Sequence, residues 1–384
     1  MGSVKKLIHI VPPDAKSDKP GVGVFDFSDR YSIKDYGAMP DLIPFRGKVL
    51  AMMGGFNFEL LSKFNPEIPH HYLGMVDVSE SDVETLTEDG LKETLIGSLQ
   101  KQSNLMAVRT VSVFRPQFGT RRGEPGYDYN GFLAAKKRNF VVPVEAIYRN
   151  GAPVGSSIFR RLEKANRGDK SEKKYIDDVV KRSGLGSIDK LVPGVVFPQT
   201  VYDFTTKFEL ADRPLTDTQA QHISGLTQEQ FDQLLRYRQS AAEFIGAYSE
   251  SRGFADWDGK LEFAVIDGIV TVVDVFGTFD ENRFSYKGEP VSKEPLRQWY
   301  DHNQPEFVKA VKEAKEAHEI SISSACKVPP KNLPAEMIAL KTDMFTAGFN
   351  QYTGKKPPIF ETDSLSDVIL RLRASRESGY KLFT

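Results

Sequence analysis

The chain has 384 residues, enough for two or three ordinary domains or for one two-lobed enzyme. Its 51 lysine and arginine residues nearly cancel its 52 aspartate and glutamate residues, so no overall field draws it to nucleic acid or to an anionic membrane. The one cysteine, Cys326, excludes a disulfide framework and a multi-cysteine zinc site, and it fits a reducing cytoplasm, where we expect the protein to work.

No apolar stretch approaches the roughly 20 residues that a membrane-spanning helix needs. The N-terminal segment MGSVKKLIHIV also lacks the long apolar region of a signal peptide. We therefore expect small molecules as ligands, and neither a membrane nor a nucleic acid as a partner.

The first half of the chain predicts short strands with interspersed helices. Strands are predicted at Leu7 to Ile10, Gly23 to Phe27, Tyr72 to Val78, Ala107 to Phe114 and Phe140 to Arg149, and helices at Phe56 to Phe64 and Asp82 to Gly97. Arg115 to Lys137, rich in Arg, Gly, Pro and Tyr, predicts a long loop. Pro143 cannot donate a ladder hydrogen bond, so it indicates an edge or a hinge. The charged stretch from Arg160 to Lys190 indicates an exposed insertion with one helix, near Tyr175 to Arg182.

The second half predicts helices around one hairpin. The helices are Thr216 to His222, Gln228 to Arg252, Lys293 to Tyr300, Glu306 to Ala317, Ala335 to Tyr352 and Ser364 to Glu377. Strands at Lys260 to Ile266 and Ile269 to Val275 flank the turn Asp267-Gly268. The pattern is α+β, with a strand-rich N-terminal lobe (1–145), a helix-rich C-terminal lobe (146–300) and a helical extension (301–384) packed on the core. That extension leaves open whether the chain is a monomer or a homo-oligomer.

The hairpin DGKLEFAVIDGIVTVVDV places charged residues on one side of a strand. Alternation separates Leu261, Phe263 and Val265 from Lys260, Glu262, Ala264 and Ile266. A two-residue loop at Asp267-Gly268 would pair Asp274 with Leu261, on the wrong face. We expect instead a three-residue loop with Gly268 as a left-handed bulge, which sets Asp274 opposite Lys260 and brings Lys260, Glu262 and Asp274 together.

This arrangement suits a nucleotide-bound magnesium ion, because that ion takes one or two carboxylates together with phosphate oxygens and water. The lysine would neutralise charge on a transferred phosphate. The pattern alone leaves an alternative open, a cross-strand salt bridge on a solvated sheet face.

Five segments resemble the SAICAR synthetase family, in that family's order, and together they span most of Phe27 to Tyr300. They are FSDRYSIKDYGAMPDLIPFRGK (Phe27 to Lys48), VPVEAIYRN with GSS (Val142 to Ser157), FTTKFELADRPLT (Phe204 to Thr216), DGKLEFAV with VVDVFGTFDENRF (Asp258 to Phe284) and SKEPLRQWY (Ser292 to Tyr300). The resemblance implies a two-lobed fold like that of protein kinases or ATP-grasp enzymes, with ATP between the lobes. It also implies an ATP- and Mg²⁺-dependent carbon-nitrogen ligase of purine biosynthesis that joins carboxyaminoimidazole ribonucleotide to L-aspartate through an acyl phosphate.

The resemblance further implies roles for residues in the matched motifs. These are Glu262 and Asp274 for magnesium; Lys260 and Asp258 for catalysis; Arg149, Ser156 and Arg283 for the ribonucleotide; Ser32 and Asp35 for the acceptor side of the cleft; and Val142, Val144 and Lys207 for ATP. Arginine forks bind phosphate in a bidentate manner. The alternatives left open are surface salt bridges for Arg149 and Arg283, a structural ion pair for Lys207 and a capped turn at Ser32.

The chain departs from the family between its first two strands. Members carry a Gly-Lys-x-Lys loop over the ATP phosphates, and this chain has VPPDAKSDKPGVGVF instead. Lys16 is expected to contact ATP from this connection, although prolines remove N–H donors and aspartates repel phosphate. Three interpretations follow: a SAICAR synthetase with a remodelled loop, a related ATP-dependent amide ligase for another carboxylate or amine, and a non-catalytic nucleotide-binding homologue.

Overall fold

A computed structural model describes residues 4–34, 36–78, 82–121, 124–209, 212–316, 322–355 and 359–379. Within these ranges the chain forms two large antiparallel sheets and one separate two-stranded hairpin, with helices packed around them. Side chains from both large sheets share one hydrophobic core. None of the helices in these ranges combines the length and the apolar character that crossing a bilayer requires.

The first sheet comes from the first third of the chain. Its strands are β1 (Lys5–Val11), β2 (Gly21–Phe27), β3 (Tyr72–Val76), β4 (Glu93–Thr94) and β5 (Leu105–Thr110). They pair antiparallel in the order β1-β2-β5-β3-β4. The predicted strands at the positions of β1, β2, β3 and β5 are confirmed, and their alternating apolar residues explain why the pattern detected them.

The helix α1 (Arg46–Phe64) begins ten residues before the predicted start at Phe56. Three glycines lower the helix propensity of its first half, so the pattern concealed that part. The glycines are needed for close packing. A Cβ atom at Gly47 would lie 2.2 Å from the carbonyl oxygen of Phe27, and one at Gly54 would lie 2.6 Å from Cγ1 of Val275.

Two other predictions for the first half are wrong. The segment from Asp82 to Gly97 is not a helix and forms short 3₁₀ turns and the strand β4. Local capping competes with the helix there, since the Thr87 side chain accepts a hydrogen bond from Gly90 N at 3.3 Å. The expected loop Arg115 to Lys137 contains a hairpin, β6 (Gln117–Arg121) with β7 (Glu124–Asp128), and the helix α2 (Asn130–Ala134). Phe118 and Tyr127 pack across that hairpin.

The second sheet has seven strands. They are β8 (Phe140–Ala152), β9 (Val195–Thr206), β10 (Pro214–Leu215), β11 (Phe254–Ile266), β12 (Ile269–Val273), β13 (Arg283–Tyr286) and β14 (Glu289–Pro290). The order is β10-β9-β8-β11-β13-β14, and β12 also pairs with β11. Pro143 therefore lies in an interior strand, so the edge position is wrong, and the hinge stays a prediction. Pro143 is tolerated because β8 and β11 shift register between Glu262 and Ala264, opposite this proline.

Helices pack around the second sheet. They are α3 (Ser157–Asn166), α4 (Lys170–Arg182), α5 (Asp217–Ser224) and α6 (Gln228–Ser251). The region from Arg160 to Lys190 thus has two helices where one was predicted, and Ile176, Val179 and Val180 bury one face of α4. The predicted starts of α5 and α6 are confirmed. Both helices begin there because Thr216 and Thr227 form capping boxes.

The C-terminal segment is helical, as predicted. Its helices are α7 (Glu294–Asn303), α8 (Pro305–Glu316), α9 (Ile322–Ala325), α10 (Ala335–Thr353) and α11 (Leu365–Glu377). Helix α10 packs against α1, where the Tyr352 hydroxyl donates to Asn57 Oδ1 at 3.0 Å. The boundaries proposed at residues 145 and 300 stay a prediction.

Candidate active site

A cleft of about 600 Å³ opens between the two sheets. Its apolar wall is formed by Leu7, Phe25, Val108, Val141 and Val273. Its polar end holds seven charged side chains that we call the charged cluster: Lys5, Glu145, Lys207, Lys260, Glu262, Asp274 and Glu281. The two sheets are joined beside this cleft, because His71 N donates to the carbonyl oxygen of Val272 at 3.0 Å. The cleft thus offers an apolar surface next to a dense group of charges.

The β11–β12 hairpin turns through two residues. Ile266 pairs with Ile269, and Glu262 pairs with Val273. Asp267 and Gly268 have φ values of 54° and 87°, as a type I′ turn requires. The expected three-residue loop is therefore wrong, because an Asp-Gly pair satisfies the two-residue turn without a bulge.

Asp274 reaches the same cleft as Glu262 by a different route. Strand β12 ends at Val273, and Asp274 has a left-handed φ of 65°. This conformation ends the strand alternation and turns the side chain into the cleft, where it forms an ion pair with Lys5. A non-glycine residue in this conformation costs on the order of 1 kcal/mol, a cost found frequently at functional sites. The expected convergence of Glu262 and Asp274 on one cleft is therefore present.

Three lysines and four carboxylates neutralise one another in the charged cluster. Lys260 Nζ lies 3.1 Å from Glu145, 2.9 Å from Glu262 and 3.3 Å from Glu281. Lys207 pairs with the second carboxylate oxygen of Glu262. Both oxygens of Glu262 are thus held by ammonium groups.

This network sets the charge states in the cleft. Burial would raise the pKa of Glu262, but Lys260 and Lys207 outweigh burial and hold that pKa well below its usual range. Glu262 is consequently ionised at neutral pH. Burial lowers the pKa of Lys5 to about 8, and the nearby carboxylates of Glu281 and Glu262 offset only part of that effect. Lys5 therefore stays mostly protonated at neutral pH.

The donor set suits magnesium carried by a nucleotide. Within the described ranges, no three or more His, Cys, Asp or Glu side chains are grouped so that they could hold a metal ion. Magnesium bound to phosphates needs only one or two protein carboxylates, and it prefers oxygen ligands. Glu262 and Asp274 supply such oxygens on one wall of the cleft.

The predicted ribonucleotide arginines meet at one carboxylate. Asp258 on β11 pairs in register with Arg149 on β8 and Arg283 on β13. Its Oδ2 accepts from Nη1 of Arg149 at 3.2 Å and from Nη1 of Arg283 at 2.6 Å. Asp258 does not line the cleft but holds both arginines in place, and its catalytic role stays a prediction.

Two serines named from the sequence have local partners. Ser156 is buried and caps α3, with its Oγ accepting from Ile158 N at 3.4 Å. Ser32 Oγ accepts from Gly37 N at 3.3 Å and lines a smaller cavity beside the cleft. Asp35 lies outside the described residues.

Lys16 does not line the cleft, and its contact with ATP stays a prediction. It lies on an exposed turn where the Asp14 carboxylate accepts from Lys16 N at 2.8 Å. The same connection is fixed elsewhere, since Asp18 accepts from the backbone N–H groups of Arg138 and Asn139 at 2.8 and 3.1 Å. These contacts explain why the connection does not cover the charged cluster.

Val142 and Val144 bury their side chains in the main core, while Val141 and Glu145 face the cleft. Any contact of Val142 or Val144 with a base must therefore come from the backbone. Their contact with adenine stays a prediction. Lys207 N donates to the carbonyl oxygen of Pro143 at 3.2 Å, which ties this bulged stretch to the end of β9.

Sequence reasoning missed several residues of the site: Lys5, His71, Glu145 and Glu281. Glu145 stands in the alternating segment VPVEAIYR beside Val141, so its orientation was readable once β8 was known to be interior. Lys5 precedes the alternating apolar residues of β1 on the cleft face. No local pattern indicates that His71 or Glu281 would join them.

The family model for SAICAR synthetase matches residues 15–314. A protein of Archaeoglobus fulgidus, provisionally named phosphoribosylaminoimidazole-succinocarboxamide synthase, is 35% identical over 374 residues, covering 97% of this chain and 99% of its own. A Thermoplasma acidophilum protein with that name is 25% identical over 341 residues, covering 87% of this chain and 93% of its own.

Solved structures of low identity show the same fold. A SAICAR synthase of Saccharomyces cerevisiae complexed with SAICAR aligns with a TM-score of 0.55 and 18% identity, covering 93% of this chain and 95% of that one. A type-2 SAICAR synthetase in complex with ADP aligns with a TM-score of 0.53 and 16% identity, covering 94% of this chain and 99% of that one. The chain therefore belongs to the SAICAR synthetase family and has its α+β fold.

Proposed function

We propose that this protein is an ATP- and magnesium-dependent ligase that joins the carboxylate of carboxyaminoimidazole ribonucleotide to the amine of L-aspartate. Membership of the family supports this reaction, and so do the names of the Archaeoglobus and Thermoplasma relatives. The ADP and SAICAR in two solved neighbours support a nucleotide and a ribonucleotide as ligands here.

The observation that carries the proposal is the charged cluster at the end of an apolar cleft. An adenine base would pack on the apolar wall near Val141, and the phosphates would extend toward Lys5, Lys207 and Lys260. Magnesium held by Glu262 and Asp274 would neutralise phosphate charge and fix phosphate oxygens.

The chemistry explains why lysines and carboxylates suffice. A carboxylate is a poor electrophile, so ATP phosphorylates it, and the aspartate amine then attacks the acyl phosphate and releases phosphate. Positioning and charge neutralisation supply most of such catalysis. Lys260 and Lys207 already stand where phosphate would replace Glu262 as their partner.

Arg149 and Arg283 are proposed to bind the ribonucleotide phosphate. They approach from two strands and are held by the same Asp258 oxygen, so their forks are oriented before a ligand arrives. Preorganised arginines lose less freedom on binding than free ones, which favours affinity.

A non-catalytic homologue is favoured by one observation. The β1–β2 connection lacks the Gly-Lys-x-Lys sequence, and Asp18 anchors it to Arg138 and Asn139. Lys5 favours a catalytic protein instead, because it lies at the start of β1 and places an ammonium group in the cleft.

The deciding assay uses the purified chain with ATP, MgCl₂, carboxyaminoimidazole ribonucleotide and L-aspartate. Phosphate release and the succinocarboxamide product are measured together, and each component is omitted in turn. Glu262→Gln serves as the matched control because it keeps the side-chain size and removes the charge. Product that needs all four components and is lost in Glu262→Gln supports the proposal.

Other outcomes separate the alternatives. Phosphate release only with a different acid or amine identifies a related amide ligase. Ligand binding without phosphate release under any combination identifies a non-catalytic homologue. Either result overturns the proposed reaction.

A further inference from the structure

A second cavity adjoins the cleft. Its volume is about 120 Å³, and it shares Val4 and Asp280 with the cleft lining. It lies between the connection from β2 to α1, the start of α1, and the helices α7 and α10. It is much smaller than the roughly 300–1,000 Å³ of pockets for drug-sized ligands, so it suits a small metabolite and excludes a nucleotide.

Cations dominate the lining of this cavity. The cations that line it are Lys34, Arg46, Lys293, Arg297 and Lys341, and Lys34 is ion-paired with Asp301. Asp280 lines the cavity too, but it is already ion-paired with Arg46. Lys293 Nζ donates to the carbonyl oxygen of Asp280 at 3.2 Å, and Lys341 Nζ donates to that of Ser292. Across the part of the chain that the structure describes, neither lysine forms a salt bridge with a carboxylate.

Lys341 is the most deeply buried of these cations, with 1% of its surface exposed. Its ammonium group lies 4.4 Å from the centre of the Phe345 ring. Burial lowers its pKa to about 7, and the nearby Asp280 offsets only part of that effect. A buried cation without a carboxylate partner is costly, and a bound anion would remove that cost. The cavity is thus built for a negatively charged ligand.

We propose that this cavity binds a carboxylate of the amine substrate and that Lys341 is one of its specificity-determining residues. The assignment rests on the proposed function, in which L-aspartate supplies the amine. Asp280 and Val4 border both spaces, so an amino acid held here by its carboxylate can direct its amine into the cleft.

The C-terminal helices thereby complete the site. Lys341 lies on α10, beyond residues 15–314 that match the family model. Helix α10 is fixed in place by packing on α1, which also contributes Arg46 to the cavity. In this assignment the predicted helical extension supplies a binding group.

Lys341→Met tests the assignment because methionine keeps much of the length and removes the charge. A lost charge-assisted hydrogen bond should raise KM for L-aspartate about 10- to 100-fold, with KM for ATP and for the ribonucleotide unchanged. Lys309→Met on α8, whose side chain is 78% exposed, is the matched control and should change nothing. An unchanged aspartate KM in Lys341→Met, or an equal rise of all three constants, overturns the assignment.

Calorimetry with succinate separates this assignment from the proposed function. Succinate has both carboxylates of aspartate without the amine, so its binding needs no turnover. One outcome is that no product forms but the wild type binds succinate at least about tenfold more tightly than Lys341→Met does. The cavity assignment is then supported, and the proposed reaction is overturned. If product forms and both proteins bind succinate equally, the cavity assignment fails. Lys293→Met, at a half-buried position, replaces Lys341→Met in both tests if the latter does not fold.

Discussion

The imidazole Nε2 of His71 lies 2.9 Å from the carbonyl oxygen of Asp274. Asp274 is the first residue after β12, and its backbone has a left-handed φ of 65°. His71 stands just before β3 of the first sheet, and its backbone N–H also binds Val272. One sheet therefore fixes the backbone turn that directs a carboxylate of the other sheet into the cleft.

This relationship predicts different outcomes for two substitutions of His71. His71→Gln retains a donor for the Asp274 carbonyl, whereas His71→Leu leaves that buried carbonyl unpaired. We expect kcat of His71→Leu to fall about tenfold or more below that of His71→Gln, with a higher magnesium concentration needed for half-maximal rate. Initial rates across a magnesium series check this. Equal magnesium dependence in both variants would show that His71 only fills space.

Asp274→Asn should nearly abolish turnover and leave the fold intact. The amide keeps the shape of the side chain and, like Asp, tolerates the left-handed backbone, but it no longer offers an anionic oxygen to magnesium. Steady-state rates at saturating magnesium, together with circular dichroism, measure the two effects separately. Near-normal rates would count against the metal assignment.

Lys5 and Lys16 provide a matched pair for the phosphate contact. Lys5 lines the cleft, and Lys16 lies on the exposed turn that Asp14 holds. We expect Lys5→Met to raise KM for ATP about tenfold or more, whereas Lys16→Met should leave it unchanged. ATP saturation curves for both variants give the answer. A larger effect at Lys16 would mean that the β1–β2 connection moves over the phosphates.

Arg283→Ala should weaken ribonucleotide binding by about tenfold or more with little change for ATP. Arg283 is held by Asp258 beside Arg149, and the charged cluster does not include it. Asp258→Asn is the accompanying variant, because it preserves both arginines and removes the charge that orients them. Kinetics with varied ribonucleotide measure both. An unchanged Michaelis constant for the ribonucleotide in Arg283→Ala would refute the role.

Helices and strands with a clear hydrophobic period could be predicted from the sequence. Elements whose conformation depends on tertiary contacts could not. Helix-period spacing gave α5 and α6 to within two residues of their observed ends, and alternation gave the faces of β11. The start of α1 was hidden because its glycines serve contacts with β2 and with Val275, which no local pattern contains. Tertiary packing overrides propensity in that helix.

The same division holds for the site. Glu262 and Lys260 could be placed on one face from alternation alone, because both lie within one strand. Asp274 could not, since its orientation depends on a single positive φ and on His71, which is distant in sequence. The position of Lys341 could not be predicted from the sequence either, because only the packing of α10 on α1 brings it to the cavity.

Lys341 should also make the protein less stable at neutral pH. The pKa of its ammonium is about 7 in the folded chain, against an ordinary value of 10.5. Between these values the unfolded chain binds more protons than the folded one, so stability rises with pH across this window. The penalty for burying the charge is thus fully present below pH 7 and disappears by about pH 10.5. Arg46 from α1 adds to the penalty, and Asp280 from the β12–β13 connection reduces it.

Lys341→Met lacks this penalty and should be more stable than the wild type at pH 7, with an advantage that shrinks as pH rises toward 10. Each unit of pKa shift corresponds to about 1.4 kcal/mol, so an advantage of a few kcal/mol is the upper bound. Urea unfolding of both proteins at several pH values between 6 and 10 measures the gap, and Lys309→Met should follow the wild type throughout. A gap that does not change with pH would show that Lys341 is not a buried, titrating cation. A closing gap would mean that the chain retains a destabilising lysine, as expected if that lysine binds a substrate carboxylate.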